Sequence, residues 1–180
     1  MLSPIQKEIV EKSGNLIVRA SAGTGKTHTM VSKIVYDIEH QHTHKAVAAI
    51  TFTIKAANEI KERLIIDTTS HFIGTNNSFA IEEIIKPFMK DVFGMEYKMD
   101  MSTDYSAKIN TFVEGVAKIK DEQILCSYEN SKENFIFQLA LDILKKSKAC
   151  QLYLQAKYFK IYVDEYQDCD KDMHALFMYI

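Results

Sequence analysis

The stretch Asn15–Ile38, NLIVRASAGTGKTHTMVSKIVYDI, narrows the possible folds more than any other part of the chain. An apolar, β-branched run, Leu16–Arg19, is followed by a loop with two glycines. Met30, Ile34, Val35 and Ile38 then recur at helical spacing. The loop nearly matches the pattern G-x-x-x-x-G-K-[ST], with Ala20 in the first glycine place. Such a loop binds phosphate for a physical reason. Ala22, Gly23, Thr24 and Gly25 form its tip, and Gly23 and Gly25 let the backbone curl so that its N–H groups converge on phosphate oxygens. The helix N-terminus adds partial positive charge at the same place. Lys26 is expected to reach the β- and γ-phosphates, and the Thr27 hydroxyl to ligate Mg²⁺. The competing reading, a strand-to-helix turn with a solvated lysine, leaves this ordered combination unexplained.

A second stretch, IYVDEYQD (Ile161–Asp168), supplies the other half of a nucleotide site. Its apolar run stops abruptly at two acids, and the carboxyl ends of strands are where open α/β sheets bind ligands. Asp164 is expected to hold Mg²⁺, directly or through water. Glu165 would polarise the water that attacks the γ-phosphate, and Gln167 would bond the γ-phosphate or that water. An acidic pair alone is a common surface feature, so this assignment depends on the phosphate loop.

The remaining pattern alternates strands and helices, which predicts an α/β fold with a parallel sheet flanked by helices. SPIQKEIVEK opens a helix with Ser3 as N-cap, Pro4 in the first position, Gln6 completing a capping box, and Gly14 at its end. KAVAAITF, HFIGT and YFKIYVDE read as further strands, and IKAANEIKERLI as a helix with Ala57, Ile60, Leu64 and Ile65 on one face. Residues 79–157 read as helical throughout, interrupted at Pro87, with an apolar core of their own. The expected division is 1–79 with 158–180 as one domain and 80–157 as a helical insertion. A net charge of −2 excludes a globally basic nucleic-acid binder and confines any such contact to a local patch. Cys126, Cys150 and Cys169 are scattered, as reduced thiols of a cytoplasmic protein would be, and no apolar run suits a signal peptide or membrane span. His40, His42 and His44 alternate near a helix end and read as an exposed turn rather than a metal site.

SPIQKEIV, ASAGTGKT, ITFTIKAANEIKERL, GTNNSFA and VDEYQD occur in the order seen in superfamily 1 DNA helicases of the UvrD/Rep type, which the chain resembles over roughly residues 2–79 and 158–171. ASAGTGKT is also similar to the RecB/AddA-like branch. The segment TFTIKAANEIKERL argues against a small-molecule kinase or signalling NTPase, which has no use for it.

The resemblance implies a RecA-like P-loop NTPase domain, subdomain 1A, with the insertion corresponding to subdomain 1B. It implies ATP and Mg²⁺ as cofactors, single-stranded DNA as partner, and a role as the N-terminal motor domain of an ATP-dependent helicase or translocase in replication, repair or recombination, beside nuclease or repair partners. Gln6 would read adenine, in competition with its capping role, and His28 stands near the base where relatives often carry Arg. Phe52, Thr53 and Lys55 resemble motif Ia on the DNA track, with Arg63 on the helix that follows. The lesser alternative for Phe52 is a core strand residue. Thr75, Ser78 and Phe79 resemble motif Ib, which also faces DNA. Ile54 and Asn77 depart from the family's Asn and His. Residues 1–180 do not include the family's later motifs, with their arginine fingers and second RecA-like domain. The expectation is a fragment with an incomplete sheet that lacks its C-terminal partner domain and does not unwind DNA alone. The alternative is a module that binds nucleotide and DNA without turnover.

Overall fold

The computed structural model describes residues 2–21, 23–41 and 43–180, which form two compact units, 1–75 with 158–164 and 76–157 with 165–180. In the first unit, α1 (Pro4–Glu11) begins with the capping box read from sequence: the Ser3 hydroxyl accepts from the Gln6 N–H, and the Gln6 side chain accepts from the Ser3 N–H. The chain continues through α2 (Lys26–His40), β1 (Ala46–Thr51), α3 (Ile54–Arg63) and β2 (Phe72–Thr75). The second unit then contributes α4 (Asn76–Phe79), a π-helical turn (Ala80–Ile85), α5 (Lys86–Phe93), β3 (Ser102–Ile109), α6 (Phe112–Glu122), β4 (Ile124–Tyr128), α7 (Phe135–Lys146) and α8 (Lys148–Lys157). The first unit regains β5 (Tyr158–Val163), and α9 (Lys171–Tyr179) belongs to the second.

Among the described residues of the first unit, the strands pair in parallel in the order β2-β1-β5. β1, the middle strand, is buried at every position. Its Val47 and Ala49 pack with Val31 and Ile34 of α2, Ile60 of α3, Ile73 of β2 and Tyr162 of β5. α3 stops earlier than its apolar pattern suggests: Leu64 is buried as the cap residue, whereas Ile65 is 94% exposed.

Leu16–Arg19, expected to be a buried strand, is not one. Ile17 is 82% exposed, and no strand runs alongside this stretch among the described residues. β-branched composition favours a pleated surface, but a strand exists only where a neighbour supplies the ladder.

The second unit corrects the expectation of an all-helical insertion. Residues 102–109 and 124–128 form a two-stranded parallel sheet joined by α6, a βαβ unit. Thr111 starts α6 by accepting from the Glu114 N–H, and Gln123 ends it in a left-handed conformation. α7 and α8 likewise read as one helix but break at extended Ser147, whose hydroxyl accepts from the Cys150 N–H. Pro87 stands in the first turn of α5, directly after the π-helical turn. The pyrrolidine ring has no N–H to donate back and would crowd an α-helical carbonyl, so the preceding turn widens. α9, expected beside the phosphate loop's domain, packs on α7 through the second unit's core, with Met173 and Leu176 buried.

Candidate functional site

The parallel register brings three strand ends to one edge of the first unit's sheet. Thr51 pairs with Thr75, and the Asp164 N–H donates to the Ile50 carbonyl at 2.9 Å. Asp164 and Thr75 thus stand at the carboxyl ends of strands flanking β1, with Phe52 and Thr53 just beyond β1 itself. That edge is where a parallel sheet offers its ligand crevice.

In the phosphate loop, Gly23 (φ 77°) and Gly25 (φ 84°) both adopt left-handed backbone. Gly25 is also the N-cap residue of α2, and among the described residues no side chain caps that helix. An N-terminus of this kind keeps backbone N–H groups that an anion can accept from. Lys26 Nζ folds back toward the Ala20 carbonyl at 3.4 Å, so the ammonium lies over the loop it is expected to serve. The Thr24 hydroxyl donates to the Ser21 carbonyl at 2.7 Å and tightens the curl. Thr27 is half-buried and His28 is exposed. Ala22 lies outside the described residues. The open helix entrance, the two left-handed glycines, the lysine and the hydroxyl beside it fit a nucleotide polyphosphate with its cation.

Gln6 joins its two sequence-based roles at this loop. Its Oε1 accepts from the Ser3 N–H at 2.8 Å, while its Nε2 donates to the Thr24 carbonyl at 3.2 Å. A carboxamide has two lone pairs and two N–H donors. One of each is engaged here, which leaves one acceptor and one donor for a base edge.

Glu165 and Gln167 belong to the second unit. Glu165 has φ 53°, a left-handed conformation rare for a residue with a Cβ, and it opens the short turn Tyr166–Asp168. Gln167 Nε2 donates to the Glu165 carboxylate, so the two residues expected to handle water are bonded to each other. Backbone outliers of this kind concentrate at functional sites.

The residues expected on DNA separate. Phe52 is half-buried, and Lys55 and Arg63 are exposed on α3. Thr53 caps α3 by accepting from the Ala56 N–H at 3.1 Å. Arg63 pairs with Glu59 at 2.6 Å, and Lys55 shares its exposed face with Glu59 and Glu62, so this face is not a basic patch. Ser78 is half-buried. Phe79 corrects the sequence reading: it is 1% exposed, its ring lies 6.4 Å from that of Phe177, and it is a core residue of the second unit rather than a stacking platform. Among the described residues no cluster of His, Cys, Asp or Glu could hold a metal ion by itself. His40 remains within α2 with its ring stacked on Tyr36, and His42 lies outside the described residues.

Sequence reasoning missed a buried polar cluster behind the loop. Lys33 and Asp37 of α2 are each 6% exposed. Lys33 Nζ donates to the carbonyls of Val10 at 3.0 Å and Lys12 at 2.8 Å, and pairs with Asp37 at 3.2 Å. Lys160 of β5 donates to the same carboxylate at 2.8 Å, and the Tyr162 hydroxyl bonds to it as well. Burial pushes the Asp37 carboxyl up, but the hydrogen bonds from Lys160, Tyr162 and Lys33 outweigh it and hold the group below its ordinary value. Burial first, and then the Asp37 carboxylate, raises the Tyr162 hydroxyl well above its ordinary range, so it stays a donor. The one signal in the sequence is that Lys33 and Asp37, four apart, fall among the apolar positions of α2.

Residues 2–137 match the family model of the UvrD/REP helicase N-terminal domain. The chain belongs to this family. It is 49% identical over 176 residues to the Gabija protein GajB of Bacillus cereus (strain VD045), covering 97% of this chain and 36% of that protein. It is 28% identical over 222 aligned positions to the ATP-dependent DNA helicase Rep of Buchnera aphidicola, covering 95% of this chain and 34% of the relative. It is also 28% identical over 224 positions to the ATP-dependent DNA helicase PcrA of Bacillus subtilis, covering 97% and 30%. The chain thus spans about a third of the length of the curated relatives it matches. The α/β architecture with its small parallel sheet agrees with the RecA-like expectation. No helix among the described residues is long and apolar enough to cross a membrane.

Proposed function

We propose that this chain is the ATP-binding N-terminal part of an ATP-dependent DNA motor acting on single-stranded DNA. The observation that carries the reading is the pair of left-handed glycines leading into the uncapped N-terminus of α2, with Lys26 folded over the loop. Family membership supports it, as do relatives named as ATP-dependent DNA helicases.

In this reading the loop N–H groups and Lys26 bind the phosphates, and Gln6 reads the base with its remaining donor and acceptor. Thr27 and Asp164 would hold Mg²⁺, whose charge would offset that of the phosphate oxygens. Glu165 accepts the proton of the attacking water, and Gln167, already bonded to its carboxylate, orients it. Phe52, Thr53, Lys55 and Thr75 lie at or next to the carboxyl edge of the sheet, where a DNA strand would follow the loop's nucleotide state. A cation for the transferring phosphoryl group comes from a partner domain, and a finger of that kind contributes about 10³–10⁵ in rate.

The test is titration of the chain with Mg²⁺–ATP, alone and as Lys26→Ala. Binding should vanish in the variant while its thermal transition is kept. Unchanged affinity would overturn the assignment of the loop.

A further inference from the structure

The buried cluster of Lys33, Asp37, Lys160 and Tyr162 joins α2 to β5 and, through Lys33, reaches the end of α1. α2 carries Lys26 and Thr27 at its start and Lys33 and Asp37 further along. Ten residues of helix separate Thr27 from Asp37, about 15 Å. β5 carries Lys160 and Tyr162, and the Asp164 N–H continues its ladder onto the Ile50 carbonyl. Side chains alternate along a strand, so Lys160 and Tyr162 emerge on the one face of β5 that meets Asp37, and Asp164 follows Tyr162 by two residues, just past the end of the strand. Through the Val10 and Lys12 carbonyls, Lys33 also fixes the end of α1, whose beginning carries Gln6. Both Asp37 oxygens are used: Oδ1 faces Lys33, and Oδ2 faces Lys160 and Tyr162.

The hydrophobic effect is non-directional, so apolar burial defines the register of α2 on the sheet less sharply than directed bonds do. A carboxylate gripped from both elements has one register. We propose that Asp37, with Lys160 and Tyr162, is a positioning device that fixes the start of α2 relative to the end of β5, so that Thr27 and Asp164 can share one divalent cation. The inference rests on the nucleotide reading above and assigns a role to residues that touch neither nucleotide nor metal.

A purely structural cluster and a positioning cluster differ in what their loss removes. Lost stability lowers the thermal transition but leaves the folded molecules with an unchanged ratio of Mg²⁺–ATP affinity to metal-free ATP affinity. Lost register lowers that ratio and spares the metal-free affinity, which depends on the loop and Lys26. The experiment measures ATP dissociation constants with Mg²⁺ and with EDTA, together with thermal transitions, for the chain and for Asp37→Asn and Tyr162→Phe. Tyr162→Phe removes a single donor and leaves both ion pairs, so it reports even where Asp37→Asn does not fold. The expected result is a Mg²⁺-dependent increment reduced in both variants, more in Asp37→Asn, which loses the charge that grips Lys33 and Lys160, than in Tyr162→Phe, which loses one donor. An increment retained despite a lower transition would overturn the inference, as would equal loss of both affinities. An unsubstituted chain that binds no ATP under either condition would overturn the nucleotide reading, and this inference with it.

Discussion

Gln6 offers a clean separation of two roles held by one side chain. Its Oε1 completes the capping box of α1 and its Nε2 holds the loop at Thr24. Gln6→Ala removes both bonds. The Ser3 hydroxyl keeps its bond to the backbone N–H of residue 6, so the loss is that of two exposed side-chain bonds, each about 0.5–1 kcal/mol. For a chain of this size the sum corresponds to a fall of about 2–8 °C in the thermal transition. Gln6→Glu keeps an acceptor for the Ser3 N–H, and its charge suits a helix N-terminus, so its thermal loss should be the smaller. The carboxylate cannot donate, neither to Thr24 nor to adenine. A bidentate amide pair discriminates between bases by about 1–3 kcal/mol, roughly 5- to 150-fold in the ratio of ATP to GTP affinity. That preference should disappear in both variants, although only Gln6→Ala is strongly destabilised. The assay is competitive displacement of a fluorescent nucleotide by ATP and GTP beside a melting curve. A preference that survives in Gln6→Glu would refute base reading by Gln6 and leave it a cap with a loop contact.

Two further outcomes are expected. Phe79→Ala should destabilise the chain by about 3–5 kcal/mol with no change in the single-stranded DNA affinity of the folded protein, whereas Phe52→Ala should weaken that affinity by about 1–3 kcal/mol; urea denaturation and DNA anisotropy check the pair, and a stable Phe79→Ala with impaired DNA binding contradicts the burial argument. The Val47 N–H donates to His71 Nδ1 at 3.2 Å, and burial, partly offset by Asp67, lowers the affinity of that ring for a proton. The unfolded state therefore binds the proton more tightly, so the contribution of His71 is complete above its unfolded value of about 6.5 and declines as pH falls through and below it. Urea midpoints at pH 7.5 and 5.5 should fall further in the unsubstituted chain than in His71→Asn, and parallel profiles would exclude His71 as the titrating group.

The parts of the site that sequence exposed are those where chemistry is local. Gly23, Gly25, Lys26 and Thr27 act within one turn of backbone, and the acids end an apolar strand, so their spacing alone carries the pattern. What was hidden depends on partners distant in the chain. Ser102–Ile109 is a strand because Ile124–Tyr128 lies beside it, and no helical or alternating count within the segment contains that fact. Leu16–Arg19 has the composition of a strand, yet no strand among the described residues pairs with it. Lys33 and Asp37 resemble an ordinary surface ion pair on a helix until Lys160 and Tyr162, more than 120 residues away, close over them. Phe79 belongs to a motif-like stretch, yet α9 brings Phe177 to its ring.

The π-helical turn Ala80–Ile85 has a consequence for how this chain can change in length. It holds more residues per turn than the helix on either side, and Ala80, Ile81, Glu83, Ile84 and Ile85 are all buried in it. Excising one residue would restore ordinary helical bonding there, but it would rotate every later side chain of the helix by about 100°. Met89, now fully buried, would swing away from the core. Single substitutions in this segment can be compensated by their neighbours one at a time; a change in its length cannot, so insertions and deletions should collect in the loops on either side and spare the stretch from Phe79 to Met89.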